Sequence, residues 1–181
     1  MTPTATTTGG VVLRETMRER REGTTTSGRL HVTLEIPDLD AFRADDHHPF
    51  VVTGTLTVDE IAGELAVTGE MRFFPAQVDY LMRYDLVCRD EHGRLWHAVG
   101  IKRQEGRGPL ARYRGLTTVR LSLVPADGDG PGVRTVLALG PSDVLRNGTS
   151  IRGTGATRAS RLQAYAGFAA DFSRAVLSRS R

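Results

Sequence analysis

The chain of 181 residues contains a single cysteine, Cys88, which excludes a disulfide framework and a cysteine-based zinc site. It also has no apolar run near the roughly 20 residues that a membrane-spanning helix needs. The first residues are rich in threonine and lack the apolar segment of a signal peptide. We therefore expect a soluble cytoplasmic protein in which residues 1–10 form a disordered tail.

Lysine is almost absent, because Lys102 is the one lysine among 24 basic residues and the rest are arginine. This ratio, together with abundant alanine, glycine and threonine, is typical of the codon usage of a GC-rich bacterial genome. The net charge of +3 and the pI of about 9.5 are therefore partly a result of composition. Since the arginines are scattered among the predicted strands, we expect no nucleic-acid partner.

Several segments alternate apolar and polar residues with a period of two, which is the pattern of half-buried β-strands. These segments are 29–36, 50–58, 64–74, 79–89, 94–103, 115–124 and 133–139. They predict a mostly β fold, an antiparallel β-barrel of about seven to eight strands that forms one domain over residues 11–178. Gly69, inside the third segment, indicates a bend of the kind that barrels need at their corners.

Helical patterns are fewer. A C-terminal amphipathic helix is predicted over residues 160–177, where the apolar residues follow helical spacing. Its predicted apolar stripe consists of Leu162, Tyr165, Ala166, Ala169, Phe172 and Val176. Residues 16–22 are predicted as one or two helical turns, 141–147 as a short helix, and 105–109 as a glycine-rich loop.

Three polar residues are candidates for catalysis because the predicted faces direct them into the barrel. His97 is the only polar residue on the more apolar face of the fifth segment. It could act as a general acid or base, although a hydrogen-bonded core histidine fits the same pattern. Tyr80 and Tyr84 lie on the apolar face of the fourth segment, where they could orient a carbonyl or simply fill the barrel.

The predicted ligand-binding wall consists of apolar side chains on the same inward faces and one on the C-terminal helix. These residues are Met71, Phe73, Met82, Leu86, Val99 and Phe172. The facing of each strand is inferred from hydrophobicity alone. A shift of one residue in the fifth segment would exchange His97 with Trp96.

Metal and cofactor motifs do not emerge from the sequence, so we expect neither group. Residues 45–48 read Asp-Asp-His-His, but adjacent side chains rarely converge on one ion, and a polar turn is the better interpretation. No GxGxxG motif follows a predicted strand. Cys88 has no histidine or aspartate pattern around it that would mark a nucleophile.

Four segments carry a resemblance to a known kind of module. They read ETMRERREG, DLDAFRADDHHPFVVTGTLTV, MRYDLVCRDEHGRLWHAVGIKR and LALGPSDVLRNGTSIRGTGATRASRLQAYAGFAADF. Together they resemble a bacterial β-rich accessory module that is fused to cholesterol-oxidase-like flavoproteins of the glucose-methanol-choline family. The flavin chemistry of those proteins belongs to another domain. The resemblance implies a role with a bulky apolar substrate such as a sterol or polyketide.

Two functions of different classes follow from these observations. The first is a cofactor-independent cyclase or isomerase that folds an apolar substrate in the barrel, with Tyr80, Tyr84 and His97 orienting and polarising it. The second is a non-catalytic module that binds a sterol or lipid, or docks on a separate flavin oxidoreductase. The sequence leaves open whether the chain forms a homodimer.

Overall fold

The computed structural model describes residues 9–19, 27–73 and 80–178. Its strands are β1 (Val11–Glu19), β2 (Gly28–Ile36), β3 (Pro49–Val58), β4 (Ile61–Phe73), β5 (Met82–Arg89), β6 (Leu95–Lys102), β7 (Thr118–Pro125), β8 (Val133–Ala138) and β9 (Arg152–Gly153). Its helices are α1 (Leu39–Ala44), α2 (Pro109–Thr117), α3 (Pro141–Ser150) and α4 (Arg158–Ser178).

Strands β1 to β8 form a closed antiparallel barrel. Each of β2 to β8 pairs with its neighbour in sequence, and β1 closes the barrel by pairing with both β2 and β8. The short strand β9 lies outside the barrel and pairs with the start of β1. The predicted fold class, a β-barrel of seven to eight strands with a C-terminal helix, is therefore confirmed.

The period-two alternation explains how the barrel core forms. In β2, the side chains of Leu30, Val32, Leu34 and Ile36 are all buried, and this is the face that the sequence predicts. Close strand packing also requires glycine at one predicted position. A Cβ atom at Gly69 would lie 2.2 Å from the carbonyl oxygen of Asp85, so only glycine fits between β3 and β5.

The N-terminal part of the barrel was not predicted. Residues 16–19, expected to be helical, belong to strand β1, and Gly9 and Gly10, expected in a tail, are buried. The inward face of β1 carries Glu15 between apolar residues, and this charge hides the alternation in the sequence. Residues 1–8 and 20–22 of the predicted tail and helix lie outside the described residues.

The predicted facing of β6 is wrong. The buried side chains are Trp96, Ala98 and Lys102, whereas His97 is exposed and Val99 lies on the outer face. The pairing register explains the difference, because β6 residues opposite the buried residues of β5 must share their face. Tyr84 pairs with Gly100 and Met82 pairs with Lys102, so Lys102 is directed inward.

The helices pack over the barrel, and α4 uses a different face from the predicted stripe. Ala164 and Phe168 are buried, whereas Leu162 and Tyr165 of that stripe are exposed. The Phe168 ring packs edge-on against Phe50 of β3, with 6.0 Å between the ring centroids. Val176, another member of the stripe, lies outside the residues whose side chains are described.

The segments between the barrel strands also differ from the expectation. Residues 105–108 form the loop that the glycine-rich pattern predicts, and helix α2 begins at Pro109. The helix includes residues 115–117, which were predicted as the start of the sixth strand, so β7 begins only at Thr118. Helix α3 begins at Pro141, as predicted, but it continues through Gly148 to Ser150. Both helices bring side chains to the cavity described next.

Candidate functional site

A cavity of about 330 Å³ lies between the inner wall of the barrel and helices α2, α3 and α4. Most of its lining is apolar. Phe50, Met71 and Phe73 contribute from β3 and β4, and Phe168 and Phe172 contribute from α4. The Phe73 and Phe172 rings stack with 5.3 Å between their centroids, which joins the barrel wall to α4 at the cavity.

Three polar side chains of the cavity form one hydrogen-bonded cluster, which we call the Glu15 cluster: Glu15 of β1, Tyr84 of β5 and Lys102 of β6. The Tyr84 hydroxyl donates to Glu15 Oε2 over 2.6 Å, and Lys102 Nζ donates to Glu15 Oε1 over 2.5 Å. Lys102 Nζ also lies 5.5 Å from the centroid of the Tyr84 ring, within the range of a cation–π contact.

The Glu15 cluster is deeply buried. The side chains of Lys102 and Glu15 are only 1% and 7% exposed, and Tyr84 is fully buried. Burial of a lone carboxylate or ammonium is strongly unfavourable, so each of these charges depends on the other. Because one negative and one positive charge face each other, the cluster adds no net charge to the cavity.

Tyr84 is held in its protonated form. Burial, the negative charge of Glu15 and the hydrogen bond to Glu15 all raise the pKa of the Tyr84 hydroxyl well above its ordinary value. The hydroxyl has one proton, and it donates this proton to Glu15. Tyr84 therefore fixes the position of the Glu15 carboxylate and is poorly suited to act as a base.

Lys102 retains hydrogen-bonding capacity. An ammonium group has three N–H donors, and the Glu15 carboxylate is the one acceptor for them that we find among the described residues. Since Lys102 lines the cavity, its other donors are available to a carbonyl or hydroxyl oxygen of a bound molecule. The site thus combines an apolar wall with a small number of convergent polar groups, as ligand sites commonly do.

Comparison of the chain with protein-family models, with curated proteins and with solved structures finds no match in any of the three. The resemblance to the module fused to flavoproteins stays a prediction.

The structure brings five of the predicted site residues to the cavity. They are Tyr84, Met71, Phe73, Met82 and Phe172. Leu86 is buried in the barrel core but is not part of the cavity lining. The facing predictions for these strand residues were right because β4 and β5 alternate as their sequences indicate.

The other predicted site residues lie elsewhere. Tyr80 precedes β5 and is half-buried, and it does not line the cavity. His97 is exposed on the outer face of β6, opposite Val87 and Val124 of the neighbouring strands. Val99 lines a separate concavity on that outer face. The predicted placement of His97 and Val99 inside the barrel is therefore wrong.

Two members of the Glu15 cluster escaped the sequence analysis. Glu15 precedes a segment predicted as helical turns, and Lys102 was assigned to the outer face of β6. One signal could have found Lys102. It is the only lysine of the chain, whereas a basic residue on the outer face of a strand would be expected to be arginine like the others. For Glu15 we find no comparable signal.

A metal site is not supported by the described parts of the chain. In residues 9–19, 27–73 and 80–178, no group of three or more histidine, cysteine, aspartate or glutamate side chains could hold a metal ion. At the predicted turn, the ring of His48 bonds with the carbonyl oxygen of Phe42, and Asp45 accepts from the backbone of His47. Among the same residues, no helix is long and apolar enough to cross a membrane.

Proposed function

We propose that the protein binds a neutral, mainly apolar small molecule in the cavity and catalyses its isomerisation or cyclisation without a cofactor. The observation that carries this proposal is the Glu15 cluster, an ion pair with a bound tyrosine, on the wall of an otherwise mainly apolar cavity. Replacement of a buried ion pair by well-packed apolar residues is often neutral or stabilising, so a packed core alone does not require these charges.

The charge balance of the Glu15 cluster favours a neutral ligand. A ligand carboxylate or ammonium would add one uncompensated charge to a site of low polarity, which is strongly unfavourable. A carbonyl oxygen, in contrast, could accept a hydrogen bond from Lys102 without changing the net charge. We therefore expect a ketone, aldehyde or ester on an apolar skeleton.

The size of the cavity restricts the ligand further. Its volume of about 330 Å³ lies near the lower limit of ordinary small-molecule sites, which is about 300 Å³. This favours a compact polyketide-like compound. A larger sterol-like molecule would have to leave one end outside the cavity.

The same residues supply acid–base chemistry. Glu15 can accept a proton from a carbon next to a carbonyl group, and Lys102 can stabilise the negative charge that develops on the carbonyl oxygen. Tyr84 acts as a positioning residue, because its hydrogen bond holds the carboxylate of Glu15. The apolar wall restricts the conformations of the ligand, which favours one reactive arrangement.

The alternative is a binding module without catalysis that carries a sterol or lipid, or that docks on a separate flavin oxidoreductase. The resemblance described from the sequence supports this function, and the apolar cavity fits a carrier equally well. The Glu15 cluster favours catalysis, since a carrier of apolar molecules does not require a buried base beside a buried cation.

The test is a thermal-shift and native mass spectrometry screen of neutral apolar ketones against carboxylic acids with the same skeleton. We expect the ketones to raise the melting temperature with increasing concentration and the acids to have little effect. Incubation of the best ketone should then yield an isomer of equal mass. Binding without conversion would favour the carrier, and preferential binding of the acids would contradict the charge argument.

Two variants assign the chemistry to the cavity. Glu15→Gln keeps an acceptor for Tyr84 but removes the base, so conversion should fall by about 10²-fold or more while ketone binding persists. The matched control is His97→Ala on the outer face of β6, which should leave both binding and conversion unchanged. A loss of conversion in the His97 variant alone would refute the assignment.

A further inference from the structure

The single lysine of the chain lies in the cavity, where arginine could form the same ion pair. The other basic residues are all arginine, yet the one basic side chain that lines the cavity beside Glu15 is lysine. If only an ion pair were needed, arginine would serve, because its planar guanidinium pairs with a carboxylate through two parallel hydrogen bonds. Lysine differs in one chemical respect, since its amine can lose a proton and become a nucleophile.

We propose that Lys102 is a nucleophilic residue that forms an imine with an aldehyde or ketone ligand in the cavity. This proposal rests on the proposed function, because it specifies the substrate class and the chemistry of the same site. It requires a proton acceptor beside the amine, an environment that tolerates the neutral amine, and space for the carbonyl compound.

The proton acceptor is Glu15. The hydrogen bond of 2.5 Å between Lys102 Nζ and Glu15 Oε1 is a direct path for a proton. Transfer of that proton turns the ammonium–carboxylate pair into an amine and a carboxylic acid, both neutral. The apolar wall of the cavity tolerates this neutral pair, because it buries no charge.

The steps of imine formation balance with these two side chains alone. The lone pair of the Lys102 amine attacks the carbonyl carbon, and the electron pair of the C=O π bond moves to the oxygen. That oxygen takes the proton from Glu15, and the nitrogen returns one proton to Glu15, which gives a neutral carbinolamine. The hydroxyl group then takes the Glu15 proton and leaves as water while the C=N bond forms.

The product preserves the charge balance of the cavity. The overall change converts a carbonyl compound and the Lys102 ammonium into a protonated imine and one water molecule. The positive charge therefore remains on Nζ, beside the negative charge of Glu15, before and after the reaction. A protonated imine also withdraws electrons from the neighbouring carbon, which would assist the proton abstraction required for isomerisation.

The chain offers a direct test, because Lys102 carries its only ε-amine, so an α-amine is the one other type of primary amine that could react. The full chain is incubated with decanal, treated with sodium borohydride to reduce any imine, and analysed by peptide mass spectrometry. We expect one decyl group on Lys102 that depends on borohydride. Labelling of an α-amine alone, or labelling of Lys102 no faster than in urea-unfolded protein, would overturn the proposal.

Three comparisons make the assignment specific. Glu15→Gln retains the amine but loses the proton acceptor, so the trapping rate should fall by about 10²-fold or more. Lys102→Arg keeps the positive charge and should show no trapping. His97→Ala should be trapped at the wild-type rate. A folding defect in Lys102→Arg would also abolish trapping. The location of the decyl group in the wild-type protein therefore decides the outcome.

A separate measurement distinguishes this proposal from the proposed function. The alcohol 1-decanol has the same skeleton as decanal but cannot form an imine. A thermal shift with 1-decanol, without trapping of decanal on Lys102, would leave the binding function standing and overturn imine formation. If 1-decanol produces no shift and decanal is not trapped, both proposals are overturned.

Discussion

The ion pair between Glu15 and Lys102 makes a quantitative prediction about stability. Substitution of Lys102 by methionine approximately preserves the length of the side chain and removes the charge. Glu15 then remains buried with the Tyr84 hydroxyl as its donor in the cluster. Removing one partner of a buried ion pair typically costs about 3–5 kcal/mol of folding free energy, and we expect a loss in this range at neutral pH.

The double variant separates the charge effect from packing. Glu15→Gln combined with Lys102→Met leaves no buried charge at this position, and the glutamine oxygen can still accept from Tyr84. We therefore expect the double variant to be more stable than Lys102→Met alone, with a coupling energy of about 2 kcal/mol. Equilibrium unfolding in urea, followed by circular dichroism, measures all members of the cycle.

A surface ion pair provides the matched control. Arg120 Nη1 lies 2.5 Å from Glu105 Oε1, the same distance as in the buried pair, but these side chains are 57% and 66% exposed. We expect Arg120→Met to leave the unfolding midpoint nearly unchanged, because solvent screens exposed pairs. If Lys102→Met were as mild as Arg120→Met, the argument from burial would be refuted.

Three other predictions follow from the described side chains. Tyr84→Phe should lower the free energy of unfolding by about 1–3 kcal/mol, because it removes a buried donor to Glu15. Tyr80→Phe should change it by less than about 0.5 kcal/mol, and urea unfolding of both variants measures the difference. The raised pKa of Tyr84 means that the folded state favours the neutral phenol, so this stabilisation is complete below the ordinary tyrosine pKa of about 10 and is lost as the pH rises through the higher folded value. In an ultraviolet titration, one phenol should therefore ionise only as the protein unfolds, and Tyr84→Phe should lack that step. Burial raises the pKa of the Cys88 thiol to about 12, so a thiol reagent at neutral pH should label it only in denaturant, and rapid labelling of folded protein would contradict the structure.

Most of the barrel could be predicted because its strands alternate as half-buried strands do. In β2, β4 and β5 the apolar face in the sequence is the buried face in the structure, so four predicted cavity residues, Met71, Phe73, Met82 and Tyr84, were placed correctly. The phase of helix α4 was harder to predict. The small residues Ala164 and Gly167 let α4 approach α1, whose Leu39 lies 3.1 Å from the position of a Cβ on Gly167, and hydrophobicity gives small residues little weight.

The two strands that were misread, β1 and β6, are the strands that supply Glu15 and Lys102. This coincidence has a physical cause. A charged residue on the inner face makes that face less apolar in the sequence, and apolar residues on the outer face of β6, such as Val99 and Ile101, make the opposite assignment look better. Rules based on hydrophobicity therefore fail first where a barrel carries polar residues inside, which is where a functional site is expected.

Packing between neighbouring strands determines which face of β6 points into the barrel, and the alternation within β6 alone does not reveal it. Tyr84 lies opposite Gly100, and a Cβ atom at Gly100 would lie 3.3 Å from the Tyr84 Cβ and 3.0 Å from Val119 Cγ2. Glycine at this position thus makes room for the tyrosine on the inner face. Because side chains alternate along a strand, Gly100 and Lys102 must share that face. The packing that seats Tyr84 therefore also directs the only lysine of the chain toward Glu15.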